Sequence, residues 1–178
     1  MLTTPVQSPE EAAGNATFDA LLWALSRPGI VRTLPEHSDS AIIDALIDRE
    51  CKVHCSDPLL VPQILRSGAD LADIAGADHV FLTVLEDIAV LDHVAKGSDL
   101  YPDDGATMVL QVTLDRGPRV QLSGPGVDGT LAVRIGGLPA GFWQRRATLS
   151  RYPMGFDLFL RDGAHIIGIP RSTKVEVL

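Results

Sequence analysis

The sequence predicts an α/β protein: one domain, residues 1–178, in which a mixed β-sheet is flanked by helices. Three observations carry that prediction. Apolar residues alternate between helical and strand spacing over the first hundred positions, hairpin chemistry and strand-like runs dominate from Thr107 onward, and 178 residues suffice for one core but are short for two. With 46% hydrophobic and 21% charged residues, and 16 Gly and 12 Pro spread along the chain, disordered and collagen-like classes are excluded.

The elements follow in order. Phe18, Leu21, Leu22 and Leu25 recur at i, i+3, i+4 and i+7, so a helix is expected to open near Asn15 or Thr17 with these four inward and to end at Pro28-Gly29. Ile30 to Leu34 is expected as a strand. Ser38 or Ser40 then caps a second helix that carries Ile42, Ile43, Leu46 and Ile47. Glu50 to Cys55 is the next strand. Asp57-Pro58 resembles a cap followed by a first helical residue, but Pro62 would break such a helix, so it is either kinked or starts at Pro62. Residues 78–84 form an apolar strand, and 86–95 a helix with Ile88, Leu91 and Val94 inward. After a polar loop from Gly97 to Ala106, strands are expected at Thr107 to Val112, Arg119 to Ser123 and Thr130 to Ile135. Asp115-Arg116-Gly117-Pro118 supplies a hairpin between the first two. A helix from about Ala140 to Arg151 interrupts the strands. Phe156 to Leu160 and His165 to Ile169 bracket the hairpin signal Asp162-Gly163, and Thr173 to Val177 is a final strand.

Charge and cysteine usage narrow the function classes. The net charge of −8 repels phosphate backbones and disfavours nucleic acid as a partner. Its distribution is uneven: residues 1–111 hold 6 basic and 18 acidic groups, residues 112–178 hold 9 and 5, so only the C-terminal third favours an anionic ligand. No apolar run approaches the ~18 residues of a membrane span, and Met1 to Glu10 lacks the pattern of a secretory signal, so a cytoplasmic protein is expected. Cys51 and Cys55 on one strand lie ~13 Å apart, too far for a disulfide, and alternation puts them with Val53 on one face as buried thiols. The histidines show no metal-ligand spacing.

Gly124-Pro-Gly-Val-Asp-Gly129 has the spacing of a dinucleotide-binding loop and follows an expected strand. A strand follows it where that fold requires a helix, so a tight strand connection is the better reading. Phosphate loops, nucleophile elbows and zinc-helix motifs are absent from the sequence, and the acidic pairs Glu86-Asp87 and Asp103-Asp104 fit solvated positions. Two arginines stand out. Arg27 precedes Pro28-Gly29 at a helix end, and Arg171 follows Pro170 at a strand end beside the hydroxyls of Ser172 and Thr173. Either arginine could grip a phosphate or carboxylate in two-pronged fashion, or form an internal bridge, for instance to Asp157 or Glu176. Phe142-Trp143 with Arg145-Arg146 is a basic, aromatic helix segment, expected to bury its rings and solvate its arginines unless it meets a partner.

Several stretches resemble the H subunit of the carbon-phosphorus lyase system for phosphonate utilisation. The closest is Tyr152-Pro-Met-Gly-Phe-Asp-Leu-Phe-Leu through Gly163 to Ile169-Pro170-Arg171-Ser172-Thr173-Lys174-Val175-Glu176-Val177. Phe18, Leu21, Leu22, Ala24 and Ser26-Arg27-Pro28-Gly29 resemble that family's opening helix. Gly97, Pro102 and Gly105-Ala106-Thr107 resemble its central loop, and Leu122-Ser123-Gly124-Pro125-Gly126 its strand connection. The resemblance implies a fold similar to the large domain of pyridoxal-phosphate-dependent transferases without that cofactor. A Schiff base needs a lysine, and only Lys52, Lys96 and Lys174 exist, the last poorly placed near the chain end. It further implies an auxiliary subunit with no activity alone, a homodimer in isolation. The same resemblance implies a complex with G, I and J subunits that attaches an alkylphosphonate to the ribose of a nucleoside triphosphate and displaces the adenine. The alternative is a free-standing binder or regulator of a phosphorylated metabolite.

Overall fold

The computed structural model describes residues 6–178. Helix α1, Pro9–Ser26, begins almost two turns before Asn15. Its start is a capping box: the Ser8 hydroxyl accepts from Glu11 N at 3.1 Å, Glu11 Oε2 accepts from Ser8 N at 2.8 Å, and Pro9 sits where its missing N–H costs nothing. The periodicity of the larger apolar residues misplaced the inward face as well. Thr17, Ala20, Leu21 and Ala24 are buried, whereas Phe18 and Leu22 are about half exposed. Small residues face inward because the helix backbone lies directly on the sheet. A Cβ at Gly168 would stand 2.5 Å from the Ala24 carbonyl carbon, so only glycine permits this approach.

The other elements are β1 Arg32–Thr33, α2 Asp39–Leu46, β2 Lys52–Cys55, α3 Val61–Ser67, β3 Asp70–Leu71, β4 His79–Leu82, α4 Val90–His93, β5 Thr107–Gln111, β6 Thr113–Ser123, β7 Thr130–Gly136, α5 Phe142–Leu149, β8 Asp157–Asp162, β9 His165–Ile169 and β10 Lys174–Val177. A seven-stranded sheet has the order β1-β9-β8-β5-β4-β2-β3. Pairings from β3 to β8 are parallel, while β9 is antiparallel to both β8 and β1. The sheet is therefore mixed, and its two faces follow from period-two alternation. Phe81, Val109, Phe159 and Ile166 pack with Leu21, Ile42, Ile43 and Ile64 beneath α1, α2 and α3. Val80, Leu82, Met108, Leu110, Leu158, Leu160, Ile167 and Ile169 point the other way, onto Leu91 of α4, Phe142 and Trp143 of α5, and Val120, Leu122 and Ile135 of a second sheet.

That second sheet, three-stranded in the order β10-β6-β7, overturns the expected hairpin between Thr107–Val112 and Arg119–Ser123. β5 instead takes parallel partners on both sides. Asp115 to Pro118 forms an irregularity within β6, where the register shifts between Leu114 and Arg119 and Asp115 has φ 59°. The expected 86–95 helix shrinks to α4, because the Asp87 carboxylate accepts from Ala89 N at 2.8 Å and closes a side-chain turn in place of a helical one. The strand expected from Ile30 to Leu34 pairs only at Arg32 and Thr33. At α3 the later start holds: Pro62 lies in the first turn, and Asp57 accepts from Leu59 N in a separate turn before it. The hairpin through Asp162-Gly163 forms as the sequence indicates. Gly124–Gly129 links β6 to β7, with Ser123 opposite Thr130. Cys51 and Cys55 are free thiols, half-buried rather than buried, and burial is the main cause that raises the pKa of each. No described helix is long and apolar enough to cross a membrane.

Candidate functional site

The chain segment that leaves β9 as Ile169-Pro170-Arg171-Ser172-Thr173 and enters β10 gathers most of the unusual polar chemistry. Arg171 is clamped. Its Nε donates to both carboxylate oxygens of Asp157 at 3.2 and 3.1 Å, and Nη2 donates to Asp157 Oδ2 at 2.7 Å. Nη1 and Nη2 also reach the carbonyls of Pro102 and Gly105 at 2.5 and 3.0 Å. A Cβ at Gly105 would strike the guanidinium, so a glycine is required there. Of the two bridges left open by sequence, the one to Asp157 forms; Glu176 pairs with Lys174 at 2.6 Å on the surface instead. Arg171 thus ties the central loop, β8 and the β9–β10 connection together.

Arg146 was expected to be solvated, and it is not: only 3% of it is exposed. Phe142 and Arg146 are four residues apart on α5, so the face that buries the ring buries the guanidinium too. Nη1 donates to the Thr173 carbonyl at 3.1 Å, and Nη2 donates to the Pro170 and Ile169 carbonyls at 2.8 and 3.4 Å. Its Nε has no partner. The other two arginines held in the interior have carboxylates, Asp39 for Arg161 and Asp157 for Arg171, but no ion pair reaches Arg146 among the described residues. Burial lowers its pKa to about 10, partly opposed by the more distant Asp157, so it remains a cation at neutral pH. Its neighbour Arg145 lies on the outside and pairs with Asp92, which lowers the carboxyl pKa and raises that of the guanidinium.

A cavity of about 310 Å³ lies against this connection, walled by Arg146, Ser150 and Trp143 on the α5 side and Arg171, Ser172 and Thr173 on the other. Three of the wall residues carry a buried polar atom without a hydrogen-bond partner: Arg146 Nε, Ser150 Oγ and Thr173 Oγ1. Buried polar atoms are rarely left unpaired in native proteins, and these three sit behind the cavity wall, not on its accessible surface. The structure therefore brings together Arg171, Ser172 and Thr173 and leaves Arg27 apart. Arg27 is the exposed C-cap of α1, beside a smaller cavity with Gly126 and Asp128. Sequence alone missed the burial of Arg146 and of the Ser150 hydroxyl, because Arg146 follows Gln144 and Arg145 and carries no local sign of burial. No group of three or more His, Cys, Asp or Glu side chains suited to a metal occurs among the described residues. Of the lysines, Lys174 and Lys52 are exposed, and Lys96 Nζ donates to the Asp92 carbonyl at 2.7 Å.

Residues 7–176 match the family described as bacterial phosphonate metabolism protein (PhnH). A relative in Stutzerimonas stutzeri, named for a C-P lyase subunit as HtxG, is 28% identical over 180 residues, covering 96% of this chain and 88% of its own. A second, in Rhizobium meliloti strain 1021, is named alpha-D-ribose 1-methylphosphonate 5-triphosphate synthase subunit PhnH. It is 26% identical over 180 residues, covering 90% of this chain and 89% of its own.

Proposed function

The chain belongs to the PhnH family of bacterial phosphonate metabolism proteins, and from that premise we propose that it is an auxiliary subunit of a carbon-phosphorus lyase complex. In this reading it supports the synthesis of a ribose 1-alkylphosphonate 5-triphosphate from a nucleoside triphosphate and an alkylphosphonate, in the cytoplasm and together with G, I and J subunits. The observation that carries it is the family match over nearly the whole chain, joined by one relative named for a C-P lyase subunit and another named for a ribose 1-methylphosphonate 5-triphosphate synthase subunit.

Several finer parts belong to the same proposal. The one domain resembles the large domain of pyridoxal-phosphate-dependent transferases and works without that cofactor. An isolated chain pairs with a second copy, a reading supported by the exposed Phe18, Leu22, Trp23, Ile30 and Val31 beside the edge strand β1. Arg27 is the partner-facing cation, while Arg171, Ser172 and Thr173 wall the anion-favouring cavity. Affinity capture of the tagged chain from phosphate-starved cells tests the subunit reading. Stoichiometric recovery of G, I and J subunits is expected, and recovery of the chain without them would favour a free-standing binder of a phosphorylated metabolite.

A further inference from the structure

We propose that the outer edge of β7 receives an extended segment of a partner protein, paired main chain to main chain, whose side chains alternate between acidic and apolar. The other sheet edges among the described residues are short or covered. β1 and β3 have two residues each, and β10 has four and packs against α5. β7, Thr130–Gly136, is seven residues long, contains no proline and pairs with β6 alone. From Arg119 opposite Arg134 to Ser123 opposite Thr130 the β6–β7 register runs without a shift. One hydrogen bond fixes which groups are free. Leu178 N donates to the Arg119 carbonyl at 2.9 Å, so the polar backbone groups of Arg119 face β10, and its cross-strand partner Arg134 turns its own away from β6. Alternation extends the same orientation to Ala132 and Thr130. All three residues are exposed, and among the described residues no backbone bond from outside the sheet reaches them. Their N–H and C=O groups are a ready template for another strand.

Side chains on the two faces of the edge define the occupant. Arg119 and Arg134 stand opposite each other as a non-hydrogen-bonded pair, the arrangement that brings side chains closest, and like charges so placed destabilise a sheet. Both are exposed, as is Arg116 at the adjoining irregularity, and none of the three has a carboxylate within ion-pair distance among the described residues. Arg134 is held in place by its Nη1, which donates to the Gly117 carbonyl at 3.0 Å. Carboxylates at every second position of an added strand would lie on this face, beside Arg134 and one strand further from Arg119, and would relieve the repulsion. On the opposite face Leu131 and Val133 are half-buried, and a cavity of about 220 Å³ is walled by Pro28, Val127 and Leu131, with Arg27 and Asp128 of opposite charge among its lining residues. That cavity receives an apolar side chain of the alternate set. Strand addition works in this way, the main chain giving affinity and pockets for alternate side chains giving specificity. Charge disfavours other occupants. A second copy joined through β7 would bring two arginine pairs to one seam, and a nucleic acid would meet a chain of net charge −8 and has no matching ladder of backbone donors and acceptors.

This assignment does not rest on the subunit reading, since the edge is probed directly. Fluorescence anisotropy of a dye-labelled peptide of about ten residues alternating Glu and Val, titrated with the whole chain, tests it. Saturable 1:1 binding with Kd below about 1 mM is expected, weakening with added salt, and the analogue alternating Lys and Val should bind at least tenfold more weakly. Arg119→Glu with Arg134→Glu should reverse that preference. Ala132→Pro removes an outward N–H that no β6 carbonyl uses, so it should weaken the acidic peptide by tenfold or more with little change in Tm. Hydrogen exchange reads the main-chain pairing even where that variant fails to fold. The amides of Ala132 and Arg134 should exchange fast in the free chain and slowly with the acidic peptide bound, while those of Leu131 and Val133 are slow in both. Absence of saturable binding up to about 1 mM, equal binding of the two peptides, or an acidic peptide that is indifferent to the charge reversal or leaves the Ala132 and Arg134 amides fast would overturn the assignment. The arginines would then be guards against strand pairing. Displacement of the acidic peptide by an oligothymidylate would hand the surface to nucleic acid and overturn it as well.

Discussion

Replacing Arg171 by lysine keeps the charge and removes the fork, which makes it a sharp test of what this residue does. The guanidinium reaches both oxygens of Asp157 and two loop carbonyls, Pro102 at 2.5 Å and Gly105 at 3.0 Å, with 16% of the side chain exposed. A lysine ammonium can satisfy Asp157 or the two carbonyls, and its geometry does not allow both. With charge retained and about two charge-assisted hydrogen bonds lost, the expected destabilisation is about 2–3 kcal/mol. For a chain of this size that corresponds to a fall in Tm of about 5–10 °C, read by circular dichroism or calorimetry. The sequence left open a different role, in which Arg171 grips an anion or a partner carboxylate directly. Under that role stability would hardly move, while assembly would fall by tenfold or more. A variant that melts within about 2 °C of wild type yet no longer assembles would refute the clamp.

Two further outcomes follow from other buried groups. Arg161 Nε meets Asp39 Oδ1 at 2.5 Å with side-chain exposures of 6% and 10%, so Asp39→Leu should strand a buried cation and cost about 3–5 kcal/mol in urea unfolding, and adding Arg161→Met should restore much of it; additive losses would refute the pairing. His79 is held below its ordinary pKa of 6.5, first by burial and against the raising influence of Asp78 and Asp48, so the unfolded chain takes up the proton first and stability falls as pH drops below about 6.5. Urea midpoints at pH 7.5 and 5.5 should diverge for wild type and less so for His79→Gln; equal losses in both would count against it.

Most of the helices and strands were visible in the sequence because their cues are local. Asp162-Gly163 specifies its hairpin within a few residues, and the central strands of the large sheet are short continuous apolar runs, as strands covered on both faces are. Failures arose where distant structure decides. Whether Thr107–Val112 pairs with the strand after it or with β4 and β8 depends on which neighbours cover its faces, and no residue near Asp115 records that choice. The four large apolar residues of α1 suggested an inward face that the close approach of Gly168 reassigns to alanines. At the candidate site, Arg171, Ser172 and Thr173 stood out because proline and paired hydroxyls mark a chain reversal. Arg146 did not, since an arginine that follows Gln144 and Arg145 on a helix has every local sign of a solvated one. Its burial is dictated by the β9–β10 connection, which the helix meets only in three dimensions.

The antiparallel partnership between β1 and β9, with α1 lying across β9, has a consequence for how the protein comes into being during translation. Arg32 and Thr33 pair with Ile166 and His165, and the helix just before them rests its small-residue face on Gly168. The first helix thus waits for a hairpin that the ribosome makes about 130 residues later. Until then Ala20, Leu21 and Ala24 lack their native covering, and so do the parallel strands made in between, whose pairings are themselves slow to form. The nascent chain therefore passes through a long interval with apolar surface and unpaired strand edges uncovered, the interval in which chaperone binding or aggregation competes. Expression at lower temperature or with added chaperones should increase the folded yield more than changes to the surface of the finished protein would.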